Sequence, residues 1–393
     1  MPTFYELFAG VGLVRDALEP LGWECVYAND IDPTKEAIYR RRYPADAHFE
    51  RRDVWEIEAA TLPRPVDLIA ASFPCIDLSL AGNRKGLAGT HSGTFWAMMR
   101  LLDQLRELDQ PPKALMIENV TGFLNSHDGR DFRAAVRAVN ERGYIVDAIQ
   151  VSAEHFTPQS RPRLFMIAVR DDLVGAFMTL PSDGLLYRTA VVAGGALRPD
   201  ALRALMMTET EDALRWGVVE FPALPHRTLT LADIVDWERD DWWDEAHVER
   251  FLAEMSPLHQ TRLRSMMGHH GPRVATAYRR VRNGRSVYEL RADGLAGCLR
   301  TAGGGSSKQI VVIVEGETVR VRWMAPVEYG RLQGVPDIGE LAGFKDNDLR
   351  TAFGDAVCVP AYRWIADHAL GALPGRGAVE HRDPAPPRQL ALV

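Results

Sequence analysis

A proline followed by a cysteine ends the apolar run DLIAASFPC, which puts a thiol at Cys75. Proline cannot donate to a sheet ladder, so the strand read over 67–73 stops there. Cys75 then falls in the turn beyond, at the edge where parallel α/β sheets bind ligands. The common fate of a free cysteine is a small core hydrophobe, but a core residue is not placed in such a turn by preference. Two further polar groups follow later strands: Glu118 and Asn119 close ALMIEN, and Gln159, Arg161 and Arg163 lie in PQSRPRLF. Each alone has a plain role as a cap or a surface ion pair. Together they offer a nucleophile, a carboxyl group and guanidinium groups to one bound base.

A second set lies nearer the amino terminus. FAGVG at 8–12 follows the first strand and opens the first helix, and the second strand ends in Asp30. Gly10 and Gly12 suit close approach of backbone to a ligand, and an acid at Asp30 accepts from both ribose hydroxyls. Arg15 stands where the third glycine of a dinucleotide fingerprint would be. A nucleoside without a pyrophosphate, such as S-adenosylmethionine, is therefore the better ligand. Asp53, in RRDV, is placed either to accept from an adenine amino group or to cap a helix.

Both sets need one sheet to hold them. Short apolar runs at 3–8, 24–29, 47–51, 67–73, 114–119, 145–151 and 163–169 alternate with amphipathic stretches at 12–21, 33–42, 93–108 and 130–142, the pattern of βα units and a parallel sheet. From 172 to 290 the alternation gives way to irregular sequence rich in Pro, Trp and charge. It returns with QIVVIV at 309–314 and a helical stretch at 356–370. The organisation expected is a first catalytic and cofactor-binding part over 1–171, an inserted domain over 172–290, a segment completing the catalytic domain over 291–371 and a flexible tail over 372–393.

Composition narrows the setting. The chain has 393 residues, 46% of them apolar and 25% charged, as in an ordinary soluble protein. Its four cysteines, Cys25, Cys75, Cys298 and Cys358, form no zinc-ligand spacing and suit a reducing cytoplasm. No signal peptide and no membrane span are legible. A net charge of -7 argues weakly against a nucleic-acid partner, but the charge is segregated. Acids crowd 233–249, whereas 261–285 carries arginines, among them Arg273, Arg279, Arg280, Arg282 and Arg285, and no acid. That strip is either a solvated face or a phosphate-binding surface.

These residues, in this order, resemble the DNA cytosine-5 methyltransferase family. The matching text is FAGVG at 8–12, FPCIDLS at 73–79, ENV at 118–120, QSRPR at 159–163 and GDAV at 354–357, with RxxxPxEYGRLQGVPD from Arg322 to Asp337 leading to the last. The resemblance implies a Rossmann-like α/β methyltransferase domain, with 172–290 as the inserted target-recognition domain. It implies that Phe8, Gly10, Gly12, Asp30, Ile31, Asp53, Val54, Phe73, Pro74, Asp355 and Ala356 bind S-adenosylmethionine. It further implies that the Cys75 thiolate adds to cytosine C6, that Glu118 holds a proton at N3, and that Arg161 and Arg163 steady the flipped-out base. The loop at 80–93 resembles the family's mobile catalytic loop, and a glycine-rich connector would read the same way.

Double-stranded DNA is the implied substrate, a restriction or defence system a candidate partner, and a monomer in the bacterial cytoplasm the expected form. Two positions depart from the family: Ile76 where glutamine is common and Asp355 where asparagine is usual. Three rivals stay open: the same chemistry on RNA, a catalytically silent DNA-binding regulator on this scaffold, and a plain dehydrogenase. The missing third glycine and the FPC turn speak against the last.

Overall fold

The computed structural model describes residues 1–74, 87, 93–176, 178–208, 214–282, 284–301 and 308–371. A seven-stranded sheet is built from β1 (Thr3–Leu7), β2 (Glu24–Asp30), β3 (Phe49–Arg51), β4 (Leu68–Ala71), β5 (Ala114–Val120), β6 (Tyr144–Ser152) and β7 (Pro162–Arg170), in the order β3-β2-β1-β4-β5-β7-β6. β1 to β5 pair in parallel. β7 runs antiparallel between β5 and β6, which departs from the parallel sheet expected. The order reverses between β1 and β4, and a crevice beyond the carboxyl ends of two such strands is where open α/β sheets bind ligands. FAGVG follows β1 and FPC follows β4, so both motifs flank that point.

Side chains alternate through the sheet with period two. Phe4, Leu68, Ala70, Ala114 and Met116 enter one apolar cluster, while Tyr5, Ile69, Ala71, Leu115 and Ile117 enter the other. The first face is covered by α1 (Leu13–Leu18) and α2 (Pro33–Arg42), the second by α3 (Thr94–Glu107) and α4 (Arg130–Asn140). The α1 helix is shorter than the 12–21 expected because Pro20 lies in a 3-10 turn over Glu19–Leu21. α2 starts sharply: the Asp32 carboxylate accepts from the Thr34 and Lys35 N–H groups at 2.7 and 3.1 Å, and Pro33 occupies the first position.

The stretch expected to be a single irregular insert divides in two. Residues after β7 first stay on the large sheet: Val146 N–H donates to Arg215 O, Thr179 pairs with Val218, and the buried Arg198 guanidinium meets the buried Asp147 carboxylate at 2.5 Å. Here α5 (Leu185–Ala193) and α6 (Asp200–Met206) bury Tyr187, Val191, Leu202 and Met206 in the second cluster, and α7 (Leu231–Ile234) joins the first. The chain then forms α8 (Glu245–Ala253), α9 (Pro257–Arg264) and a four-stranded antiparallel sheet in the order β11-β10-β8-β9. Its strands are β8 (Arg273–Arg282), β9 (Arg285–Arg291), β10 (Gln309–Glu315) and β11 (Thr318–Trp323).

The boundary expected at 290/291 therefore runs through one sheet. The reason lies in QIVVIV: Ile310, Val312 and Val314 pack with Phe251 of α8, Leu263 of α9 and Met255 between those helices, while Val311 and Ile313 pack into the first cluster of the large domain. A strand covered on both faces reads as an unbroken apolar run. The chain closes with α10 (Pro326–Leu332), α11 (Asp346–Asp355) and α12 (Val359–Leu370) over the α1 face. Arg322 and Glu328 of the motif leading to GDAV form a fully buried bidentate pair at 2.6 and 2.8 Å, with Asp236 and Ala325 N–H groups on the same carboxylate. No helix among the described residues is long and apolar enough to cross a membrane.

Candidate active site

β5 and β7 build the base side of the site. Glu118 continues the face that carries Ala114 and Met116, and the antiparallel register sets it opposite Phe165, with Arg163 two residues away on the same face. Such diagonal neighbours reach each other. Arg163 Nε meets Glu118 Oε1 at 2.9 Å, with side chains 16% and 9% exposed, so the carboxylate is oriented and largely desolvated. One guanidinium nitrogen also donates to Pro162 O at 2.9 Å, and the other reaches Cys298 Sγ at 3.7 Å. Beside Glu118, buried Asn119 donates from Nδ2 to Phe73 O at 3.1 Å. That bond ties the end of β5 to the turn carrying Phe73 and Pro74. Cys75, Ile76 and most of the loop at 80–93 lie outside the described residues, as does the tail at 372–393.

Arg161 is placed differently from the expectation that it steadies the base. It is 2% exposed, and its guanidinium donates to Leu299 O (3.0 Å), Gly354 O (3.2 Å) and Ala356 O (2.7 Å), with Cys298 Sγ at 3.6 Å. A guanidinium so committed to carbonyls holds the C-terminal segment against β7. Gln159, fully buried, does similar work: it accepts from Leu299 N–H and donates to Leu332 O at 3.0 Å. Cys298, between the two arginines, belongs to no motif, and sequence reasoning missed it. Burial pushes its thiol up, but Arg161, Arg163 and Arg300 outweigh burial and hold it below the usual cysteine value.

The cofactor side gathers at the ends of β1, β2 and β3. Asp30 is 8% exposed; its Oδ2 accepts from Gly10 N–H and its Oδ1 from Asp32 N–H, both at 3.0 Å. Phe8 and Gly10 take left-handed φ values of 58° and 55°. That conformation is strained for Phe8 and marks a loop shaped for a ligand rather than for local stability. A Cβ added at Gly10 would meet nothing within 4 Å, so this backbone faces open space. Gly12 has another reason to be glycine than the ligand approach expected: a Cβ there would lie 2.5 Å from the Tyr43 ring and 2.9 Å from the Tyr39 ring. It permits helix packing.

Next to Asp30, Ile31 is 63% exposed, an apolar side chain kept at the surface. Asp53 Oδ1 accepts from Trp55 N–H at 3.0 Å, capping a 3-10 turn in which Val54 is buried, as is Phe73 across the crevice. From the far end of the chain, Asp355 reaches Lys35 Nζ at 3.3 Å, and Ala356 follows it. Open backbone at Gly10, an oriented carboxylate at Asp30 and an exposed apolar side chain at Ile31 fit a nucleoside with ribose hydroxyls. Lys35 was not singled out in the sequence; its position three residues after the helix cap is the signal available.

The arginines of the strip lie on the β8–β9 hairpin. Arg273, Arg279, Arg282 and Arg285 are exposed, with Val281 66% exposed among them. Arg279 donates to the Ser286 hydroxyl, Arg282 pairs with Glu289 at 2.8 Å, and Arg280 lies over the Tyr278 ring.

The family model described as C-5 cytosine-specific DNA methylase matches residues 2–370. Type II methyltransferase M.HpaII of Haemophilus parainfluenzae is 24% identical over 375 residues, covering 91% of this chain and 86% of that protein. Type II methyltransferase M.HhaI of Haemophilus parahaemolyticus is 31% identical over 171 residues, 43% of this chain. The chain spans 50% of the length of M.HhaI and 38% of type II methyltransferase M.MspI of Moraxella in these matches. Among solved structures, the Dnmt2 methyltransferase of S. pombe superposes with a TM-score of 0.57 at 15% identity, covering 95% of this chain and 100% of that one. At that identity the likeness shows the fold.

Proposed function

Because the chain belongs to the C-5 cytosine-specific DNA methylase family, we propose that it transfers a methyl group from S-adenosylmethionine to C5 of a cytosine in double-stranded DNA. The observation that carries this reading is the Glu118–Arg163 pair, buried at the end of β5 and tied through Asn119 to the strand end that leads into Cys75.

Cytosine C5 is a poor nucleophile. Addition of the Cys75 thiolate to C6 shifts the ring electrons toward C5, and Glu118 holds a proton at N3 as negative charge develops in the ring. A free cysteine, with a pKa of about 8.5, is mostly protonated near neutrality, so nearby positive charge is required, and Arg163 is the cation at hand. S-adenosylmethionine held at Asp30, Gly10 and Ile31 would supply an electrophilic methyl group, its S–CH3 bond breaking to leave the thioether S-adenosylhomocysteine. Once C5 has gained its methyl, water takes the C5 proton, that electron pair re-forms the C5–C6 double bond, and Cys75 leaves as the thiolate. Arg161 contributes by fixing the Gly354–Ala356 backbone. A base inside a duplex is out of reach of this pocket, so the target is flipped out, at a cost of a few kcal/mol.

The hairpin arginines are proposed to hold DNA phosphates, and a cognate restriction or defence system to accompany the enzyme. Bisulfite sequencing of DNA from a host expressing the chain tests the reading. Protection of cytosines within one short sequence, absent with Cys75→Ser, is expected. Protection confined to RNA, or none in either, contradicts it.

A further inference from the structure

Lys35 and Asp355 are each in the wrong place for their own helix. Lys35 lies in the first turn of α2, where the helix dipole repels a cation, and Asp355 is the last residue of α11, where it repels an anion. Local preference would remove both charges. They persist facing each other, Lys35 Nζ at 3.3 Å from Asp355 Oδ2, with side chains only 20% and 35% exposed. Charges that break a local rule and compensate one another across the fold are a mark of a functional site.

Their surroundings say which function. Lys35 sits in the field of Asp30 and Asp32 as well as Asp355: burial pushes its ammonium down, but these three acids outweigh burial and keep it protonated. Burial raises the Asp355 carboxyl, Lys35 opposes that rise, and the charge of Asp30 adds to it. Asp30, at the carboxyl end of β2, and Asp355, at the end of α11, thus both act on Lys35, which contacts Asp355 directly. Arg161 grips the same C-terminal backbone from the opposite side, at Gly354 and Ala356. Asp355, where the family usually has a neutral asparagine, is tolerable here because this chain places a lysine opposite it.

We propose that Lys35 and Asp355 form a positioning pair for the cofactor: Lys35 neutralises Asp355 so that Asp30 stays free to take the ribose. The inference rests on the S-adenosylmethionine reading above. Neither residue is a catalytic group, since both act through Asp30.

Calorimetric titration of S-adenosylmethionine into four proteins tests it: the parent, Lys35→Met, Asp355→Asn and the double variant, alongside thermal melts without ligand. Lys35→Met leaves Asp355 without its ion-pair partner, with only the Arg161 charge still opposing it, and is expected to weaken binding about tenfold, the scale of coupling between touching residues. The double variant, with no acid left to neutralise, is expected to return to within about threefold of the parent, as is the conservative Lys35→Arg. Melting temperatures without ligand should stay close to the parent throughout. A double variant as weak as Lys35→Met overturns the proposal, and so does a Lys35→Met protein that melts earlier yet binds normally, since the pair would then be only structural. Asp30→Ala in the same series separates cofactor binding from positioning. If the parent does not bind, or Asp30→Ala binds as well as the parent, the cofactor reading itself fails; if both behave as expected and Lys35→Met binds normally, only the positioning role fails.

Discussion

The two sheets place their polar groups in opposite ways. The large sheet is covered on both faces, so Glu118, Arg161, Asp30 and Glu6 are all nearly or fully buried and each carboxylate or guanidinium has specified partners. The small sheet packs one side of its β8–β9 hairpin on α8 and α9 and leaves the arginines beyond it in water, where Arg282 is paired at the surface and Arg279 donates to a hydroxyl. Burial makes geometry unique and errors costly, which suits bond-making. Exposure makes each interaction weak and additive, which suits a long charged backbone of variable sequence. Substitutions should accordingly be sharp in one sheet and graded in the other.

The largest effect is expected at Glu118. Glu118→Gln removes the carboxyl group but not the adenosine crevice, so methyl transfer in a single turnover should fall about 10²–10⁴-fold while calorimetric affinity for S-adenosylmethionine holds. Near-normal transfer would take Glu118 out of the chemistry.

Two arginines two residues apart sharpen the contrast within the large sheet. Arg161→Ala strands the carbonyls of Leu299, Gly354 and Ala356, and urea denaturation should show a loss of about 3 kcal/mol. Arg163→Lys keeps a cation against the largely buried Glu118 carboxylate, so it should unfold nearly as the parent does and lose activity instead. Equal destabilisation by the two would erase the distinction drawn between them.

In the small sheet, Arg279, Arg280 and Arg282 replaced together by alanine should weaken binding to every DNA sequence. The dependence of log affinity on log salt should become shallower by about one for each phosphate that the hairpin no longer holds. A loss confined to one sequence would make them base readers. Unchanged binding would return the strip to a solvated face.

The smallest effect concerns Glu6, beneath the FAGVG loop. It accepts from Val14 N–H at 3.1 Å, and burial first, then the charge of Asp16, pushes its carboxyl up to about 8 against the bonds from Val14 and Arg15. The folded protein therefore favours protonated Glu6. Its contribution to stability is fully present below the ordinary carboxylate range and is lost as pH rises through about 8. Between pH 7 and 9 the parent should lose about 1 kcal/mol that Glu6→Gln retains, read from denaturation midpoints at each pH. Parallel pH profiles would mean Glu6 is already ionised in the fold.

What was legible in the sequence follows the same division. Strand ends carrying Asp30 and Glu118 could be read because a buried parallel strand is a bare apolar run and polar residues at its end stand out, and Arg163 because it opens the apolar run of β7. The roles of Gly12 and Arg161 could not, because their partners, Tyr39 and Tyr43 in one case and Leu299 and Ala356 in the other, are set by helix packing and by a segment more than a hundred residues away. The small sheet was missed for a different reason. Arginines at 279, 280 and 282 interrupt the alternation of RVATAYRRVR, yet Asn283-Gly284 between two such runs is a strong hairpin signal, and Arg282 does pair with Arg285 across it. Lys35 and Asp355 were hidden because each reads as an ordinary surface charge until the ends of the chain meet.

Cys75 is proposed to become joined to the target base in each turnover. Elimination requires a proton to leave C5, and fluorine cannot leave as a cation. A duplex carrying 5-fluorocytosine at the target, once that sequence is known, should therefore give a denaturation-resistant complex with the parent protein in the presence of S-adenosylmethionine. Mass spectrometry should place the modified cytosine on Cys75, and Cys75→Ser should form no complex, since a hydroxyl is far less ionised than a thiol. A complex of equal yield with Cys75→Ser, or methylation of the fluorinated duplex with release, would contradict the account.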